Sequence, residues 1–418
     1  MTEKPFDIII YGATSFVGRI LCHYLNESLT DSDLHWAMAG RSKTRLNQVK
    51  VSLGKPHHSV ACIVADADDE EALRRLCRKT RVVISTVGPY ALYGETLVRM
   101  CAECGTDYCD LTGEPQWIRR MIDRYQTTAQ RSGARIVHCC GFDSIPSDLG
   151  VYFLQQVAKK QFGDYCQQVK MRVKGLQGGA SGGTVASLVN VYRETAGDRH
   201  VRDELQDLYS LCPQPDEARP IQHNVGVEYD PDFDSWVAPF VMAPINTRVV
   251  LRTNALLNPG YHRNFLYDEG VLTGDTGGKK RARRIAWGLR LLQWAMIVPP
   301  LRWLVLKFLP QPGEGPTPEQ QRNGFFELRF IGHTEQGQSL QVRVSGDRDP
   351  GYGASARMLA QAGMCLAFDV SRTSLPGGFW TPATAFGKKL IRRLIEQAGL
   401  SFQLLGRKNQ SAAGAESG

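Results

Sequence analysis

The run Ile8-Ile9-Ile10-Tyr11-Gly12-Ala13-Thr14-Ser15-Phe16-Val17-Gly18 constrains this chain more than any other stretch. β-branched residues ending at a glycine, then small residues, then a second glycine opening an apolar-periodic segment, read as strand, tight turn and helix. That is the phosphate cradle of a dinucleotide-binding fold. Gly12 lets the backbone turn and approach a pyrophosphate, Gly18 lets the helix lie close to the strand, and the helix amino terminus offers N–H groups to the anion. Ser15 stands where the pattern usually has its middle glycine, so either the backbone approach is looser there or the hydroxyl serves as a donor. Residues Gly12, Ala13, Thr14, Ser15, Phe16, Val17 and Gly18 are therefore the expected cofactor loop. A strand-turn-helix needs glycines in any case, so the next strand matters.

That strand, 34–39, ends in Gly40-Arg41-Ser42. Such folds recognise the adenosine ribose at this distance from the first strand. A carboxylate would accept from a 2′-hydroxyl, whereas the guanidinium of Arg41 and the hydroxyl of Ser42 suit a 2′-phosphate. The expected cofactor is NADP rather than NAD, with a plain surface arginine as the structural alternative.

Alternation continues through the first third. Strand-like runs at 60–66, 81–87, 107–111 and 134–140 follow, separated by helix-like runs at 43–53, 69–79, 95–104 and 118–132. Asp66 ends the third strand, where adenine is commonly contacted. Gly88, Pro89 and Tyr90 leave the fourth, and ligands gather outside the carboxyl ends of strands in open α/β sheets. Residues 1–150 thus read as a doubly wound α/β domain, an NADP-binding Rossmann domain. At 418 residues and 42% apolar content the chain is long enough for a second domain. A net charge of +8 with dispersed basic residues does not favour nucleic-acid binding. Eleven cysteines, an odd number, and no signal peptide ahead of Gly12 point to a reducing, cytoplasmic setting. Cys101 and Cys104 form a lone C-x-x-C, read as packed thiols rather than a zinc site.

Residues 151–350 read as a substrate domain. A helix over 151–162 precedes an alternating strand at 168–174, and Gly178-Gly179-Ala180-Ser181-Gly182-Gly183-Thr184 opens an apolar helix. The glycine cluster is a hinge or turn, or else a cradle for an anionic or thioester group. Proline and acid-rich 212–244 is expected to be irregular. Residues 325–334 and 338–347 alternate as an antiparallel hairpin around Gln336-Gly337. A long helix over 351–368 and a last one capped by Thr381 and Pro382 make 351–405 a set of helices returning to the first domain, and 406–418 a disordered tail.

The most apolar window, 285–309, follows Lys279-Lys280-Arg281-Ala282-Arg283-Arg284. Arg290, Gln293, Pro299, Pro300, Arg302 and Lys307 interrupt it, so it fails as a membrane span and reads as two helices broken at the Pro-Pro pair. With Trp287, Trp294 and Trp303, residues 279–309 suit peripheral contact with a membrane interface or the roof of an acyl channel. A buried helix pair is the alternative.

Several blocks together resemble the saccharopine dehydrogenase-like oxidoreductases: 12–18, Ala39-Gly40-Arg41-Ser42, Gly88-Pro89-Tyr90, Tyr108-Cys109-Asp110-Leu111-Thr112-Gly113-Glu114 and Gly141-Phe142-Asp143-Ser144-Ile145-Pro146-Ser147-Asp148. More narrowly, with 346–353 and 375–383 added, the chain is similar to the branch of bacterial trans-acting enoyl reductases and the animal lipid-droplet saccharopine dehydrogenase-like protein. The resemblance implies a Rossmann domain with an inserted α+β substrate domain and carboxyl-terminal helices that return to it. It also implies an NADPH-dependent enoyl reductase acting on a hydrophobic acyl or polyketide intermediate of lipid metabolism, with a polyketide synthase or acyl carrier as partner. Such a reduction needs a proton source beside the hydride donor. Tyr90, next to a Gly-Pro turn, is the first candidate, with packing and a backbone hydrogen bond as its structural alternative. Asp143 and Ser144 could orient the substrate or the carboxamide, or cap a helix, and Tyr352 is a weaker candidate. Two rival functions remain: a saccharopine-type amino-acid imine reductase, for which only scattered cations such as Arg248 and Arg252 are in view, and a non-catalytic membrane or lipid-surface binding protein on a Rossmann scaffold.

Overall fold

The computed structural model describes residues 4–28, 34–54, 60–179, 182–213, 219–307 and 315–408. Six strands, β1 (Phe6–Tyr11), β2 (Trp36–Gly40), β3 (Ala61–Val64), β4 (Thr80–Ser85), β5 (Asp107–Asp110) and β6 (Arg135–Val137), are all parallel in the spatial order β3-β2-β1-β4-β5-β6. The β1 isoleucines are buried on both faces: Ile8 and Ile10 enter one apolar cluster and Ile9 the other. This is why β1 reads as a continuous apolar run rather than an alternating one.

The second sheet begins with β7 (Gln168–Gln177), β8 (Glu228–Asp230), β9 (Ser235–Pro239) and β10 (Leu266–Gly274). It continues with the hairpin β11 (Phe325–His333) and β12 (Ser339–Gly346), in which Leu328 faces Val344 and Phe330 faces Val342. Two strands then return. β13 (Gly378–Trp380) adds parallel to β6 in the first sheet, and β14 (Leu400–Lys408) adds antiparallel to β12, giving the second sheet the order β14-β12-β11-β7-β10-β9-β8.

One apolar cluster joins the two sheets, running from Ile8 and Ile84 to Phe326 and Phe330. The helix Ile145–Phe162 lies between them, and a Cβ on its Gly150 would stand 2.4 Å from the Phe330 ring, so glycine permits the crossing. The helix Ser355–Met364 packs its Gly363 equally closely on Ile84. Arg135 fixes that return: its buried guanidinium pairs with Asp107 and donates to the carbonyls of Leu366 (2.9 Å) and Val370 (2.5 Å). All eleven cysteines are thiols, and Cys101 lies 3.6 Å from Cys77 rather than against Cys104.

Three expectations change, and one alternative falls. The span 212–244 is not wholly irregular, since it contains β8 and β9, and a helix starts at Ala243. The last helix is two, Pro382–Phe386 and Lys388–Gln397, because Gly387 breaks it with a φ of +49°. Residues 406–408 belong to β14, while the remaining expected tail, 409–418, lies outside the described residues. Lastly, the helices Gly278–Ile297 and Pro299–Leu306 are not a buried pair, for within the first only Gly278, Ala282, Ala295 and Met296 are buried. No single described helix is long and apolar enough to cross a membrane.

Candidate active site

The phosphate turn follows from the two glycines. Gly12 has a φ of +89°, and a Cβ there would stand 2.6 Å from Val87 Cγ2. A Cβ on Gly18 would stand 2.1 Å from the Gly12 carbonyl oxygen, so only glycine lets the helix Phe16–Ser28 start this close to the turn. The Ser15 hydroxyl accepts from the Gly18 amide (2.9 Å) and bonds the Thr86 hydroxyl (2.9 Å), which in turn donates to the Gly12 carbonyl (2.9 Å). Ser15 therefore caps its own helix and ties the turn to the β4 exit. Its side chain faces inward. The Phe16 and Val17 amides, ahead of the first intrahelical bond, make no hydrogen bond among the described residues and are the donors left for an anion. Gly12 and Ala13 are held by the Ala39 carbonyl (2.9 and 3.2 Å), and Thr14 accepts from Arg19 (3.3 Å). This donor set and its glycine-lined floor fit a dinucleotide pyrophosphate.

The residues expected at the adenosine end, Arg41, Ser42 and Asp66, lie just past β2 and β3. Arg41 is exposed and makes no hydrogen bond or ion pair among the described residues, whereas the Ser42 hydroxyl caps the helix Lys43–Ser52 by accepting from the Arg45 amide (3.3 Å). Asp66 is exposed at the β3 exit and accepts from the Asp68 amide (3.2 Å). The charges of Asp66 and Arg41 both reach the buried Tyr11 hydroxyl, so the fold brings these two predicted residues to one corner.

At the exits of β4, β5 and β6 three loops converge. Gly88 is exposed and Pro89 half-buried, while Tyr90 turns inward. The Tyr90 hydroxyl donates to the Ser85 carbonyl (3.0 Å) and accepts from the Leu111 amide (3.2 Å), and its ring packs on Trp117. Burial pushes its pKa well above the usual phenol value. The phenol proton is engaged by the Ser85 carbonyl and the ring is packed inward, so the geometry displays the packing and backbone hydrogen bond that are the structural alternative for Tyr90.

Glu114 joins this corner and was not singled out by sequence reasoning as a functional side chain. Its carboxylate accepts from the Tyr90 and Ala91 amides (2.9 and 3.0 Å) and from the Ser187 hydroxyl (2.8 Å), clamping the Gly88–Tyr90 loop to the helix Gly182–Gly197. Burial raises its pKa against the pull of those donors. The strand-exit rule that selected Gly88 also reaches Glu114, four residues beyond β5.

Asp143 is the carboxyl left over. It is half-buried, its Oδ2 faces Gly113, and it has no hydrogen-bond partner among the described residues. Burial pushes its pKa up to about 6. The next residue, Ser144, is buried with a φ of +112°, a conformation that costs a non-glycine residue about 1–3 kcal/mol. Its hydroxyl donates to Asn246 Oδ1 (3.1 Å), and Asn246 Nδ2 donates to Glu269 (3.0 Å), which also accepts from the Tyr267 hydroxyl (2.6 Å). Burial moves Glu269 up to about 7. Ser144 thus acts as an anchor for Asp143, tied to a network on the helix Ala243–Leu256 and β10.

The 349–353 loop closes over the phosphate turn. The Phe16 ring meets Tyr352 edge-on (5.1 Å), and Asp349 accepts from the amides of Gly179 (2.9 Å) and Tyr352 (2.8 Å). The Gly178-Gly179 pair is therefore docked against the 349–353 loop, while 180–181 lie outside the described residues. Arg248 and Arg252 are spent elsewhere, donating to carbonyls that include those of Leu205 and Phe379.

The profile of the saccharopine dehydrogenase NADP binding domain matches residues 8–137, which span β1 to β6. The chain is 35% identical over 409 residues to a trans-acting enoyl reductase of Mycobacterium leprae, covering 94% of this chain and 96% of the relative. Identity is 38% over 96% of this chain and 98% of the relative for a Mycobacterium tuberculosis protein that carries the same designation provisionally. Among solved structures, the apo L-Glu-forming saccharopine dehydrogenase of Saccharomyces cerevisiae superposes with a TM-score of 0.53 at 12% identity, over 96% of this chain and all of that one. The Legionella pneumophila homospermidine synthase in complex with NAD superposes with a TM-score of 0.51, also at 12% identity, over 99% of this chain and 96% of that one. These last two show a common fold. The domain match and the phosphate turn together assign a nicotinamide dinucleotide to the first sheet.

Proposed function

The chain belongs to the trans-acting enoyl reductase family, and from that premise we propose that it reduces the carbon–carbon double bond of a hydrophobic enoyl thioester carried by a polyketide synthase or acyl carrier, using NADPH. The observation that carries this reading is Asp143, an unpartnered, half-buried carboxyl at the β6 exit, in the same parallel sheet whose β1 exit carries the turn that fits a dinucleotide. NADPH supplies the hydride for the β-carbon when bound. Everything else falls to the protein. The Phe16 and Val17 amides hold the pyrophosphate, and the free Arg41 guanidinium favours the 2′-phosphorylated carrier over NAD. Asp143, raised to about 6, keeps part of its population protonated near neutrality and delivers that proton to the α-carbon. Ser144 and Asn246 hold the Asp143 loop in place, and Glu114 fixes the facing Gly88–Tyr90 loop. The amino-acid imine reductase reading needs cations converging on substrate carboxylates, and the two arginines in view for that task are bound to backbone carbonyls.

The test is NADPH oxidation by the purified chain with an enoyl thioester, against a keto acid plus an amine. Oxidation with the thioester alone is expected. Turnover with only the keto acid and amine would overturn the substrate class, and failure to bind NADPH would overturn the whole reading.

A further inference from the structure

The helices Gly278–Ile297 and Pro299–Leu306 present a face that no part of the described chain covers. Trp287, Trp294 and Trp303 are 69, 66 and 62% exposed, and Leu291, Ile297 and Leu304 are exposed beside them. In the longer helix the spacing 287, 291, 294, 297 puts these residues on one stripe. Going back by three or four residues, the same stripe continues into Arg284, Arg283 and Lys280, all exposed. The two helices meet at 114°, so neither makes a straight span.

Charge selects the occupant. From Thr276 to Gly313 the sequence holds no acidic residue, while Lys279, Lys280, Arg281, Arg283, Arg284, Arg290, Arg302 and Lys307 are all cationic. Cations at one end of a stripe and tryptophans along it match the two layers of a bilayer surface, anionic headgroups outside and the acyl boundary beneath. We propose that this helix pair docks the protein on an anionic lipid surface, lying in the interface rather than crossing it. The inner side of the pair rests on the helix Gly182–Gly197, with Met296 and Val189 buried together and Tyr192, Leu292, Val305 and Leu306 around them. That helix carries Ser187, the partner of Glu114. The docking face is one helix away from the Gly88–Tyr90 loop. The proposal does not depend on the reaction assigned above.

Flotation of the full chain with phosphatidylcholine vesicles, with and without phosphatidylglycerol, tests it. The wild type should float with the phosphatidylglycerol vesicles and lose that association at high salt. Two triple variants, Trp287→Ala/Trp294→Ala/Trp303→Ala and Lys280→Glu/Arg283→Glu/Arg284→Glu, should each partition at least about tenfold less. All six side chains are exposed, so both variants should keep the wild-type melting curve and dinucleotide affinity. No flotation with either vesicle, or undiminished flotation of both variants, would overturn the proposal. So would a dimer seen by light scattering that the tryptophan variant dissolves while vesicles bind nothing, which would give the face to a second copy of the chain.

Discussion

Replacing Arg41 with alanine should separate the two nicotinamide dinucleotides. The guanidinium is exposed at the end of β2 and engages nothing else among the described residues, so its removal orphans no internal group. The stability change should stay within about 0.5 kcal/mol. A hydrogen bond from a cation to phosphate contributes about 1.5–3 kcal/mol. Exposure and salt screening reduce that to about 1–1.5 kcal/mol, roughly a five- to thirteenfold rise in the Kd for NADPH. Ser42, whose hydroxyl oxygen caps the following helix, can still donate its one neutral hydrogen bond but cannot replace the lost charge. NADH carries a 2′-hydroxyl there, and its Kd should move by less than about twofold. Titration by isothermal calorimetry at two salt concentrations reads both numbers. The wild-type preference for NADPH should shrink as salt rises, and the variant should show little preference to lose. An equal loss of affinity for the two dinucleotides, or none for either, would refute the phosphate role of Arg41.

Gly18→Ala should cost about 1–3 kcal/mol and weaken both dinucleotides, since its Cβ would stand 2.1 Å from the Gly12 carbonyl oxygen; unchanged melting and Kd would contradict the tight turn. Asp143→Asn should lower kcat by about a hundredfold or more while leaving the Kd for NADPH intact, and should abolish the fall in wild-type kcat as pH rises through about 6. Glu269→Gln should change how stability depends on pH. The folded chain holds the Glu269 proton up to about 7 and the unfolded chain only to about 4.5, so between those values the folded state binds more protons and stability falls as pH rises. The full cost, about 3 kcal/mol at most, is present above pH 7, and the glutamine variant should flatten that slope in a series of thermal melts.

The first sheet was legible because its strands carry local signals: an apolar run buried on both faces, then a glycine-bearing exit. The β11–β12 hairpin was legible for the opposite reason, a clean alternation with one polar face. β8, β9 and β10 were not. Their stretch is rich in acids, a composition that usually marks loops, but here the acids are paired across the sheet. Asp230 and Asp268 bind the buried Arg172 of β7, and Asp230 and Asp232 bind Lys170. A carboxylate paired with a cation from another strand can be buried in a sheet, whereas read along its own strand it looks solvated. The chain gives no local sign of that pairing, because β7 lies about 60 residues before β8 in sequence.

The same distance limits what could be read at the site. Gly12, Gly18, Arg41 and the loop holding Asp143 follow from rules confined to one strand and its exit. The state of Asp143 does not. Its loop contains two non-glycine residues at positive φ, Cys139 and Ser144, which must be held in place by contacts from outside. Those contacts come from later in the chain: Ser355 accepts from the Phe142 amide (2.9 Å), Asn246 takes the Ser144 hydroxyl, and Leu111 closes on Gly141. With every neighbour so engaged, Asp143 alone is left facing Gly113 without a partner, and a carboxyl in that position keeps its proton to higher pH. Tyr90 shows the converse. Its setting beside a Gly-Pro turn looks accessible in sequence, yet Trp117 and the Leu111 amide draw the phenol inward. The contacts that distinguish these two residues come from up to about 210 positions away in the chain, and the strained loop is the place where their effects meet.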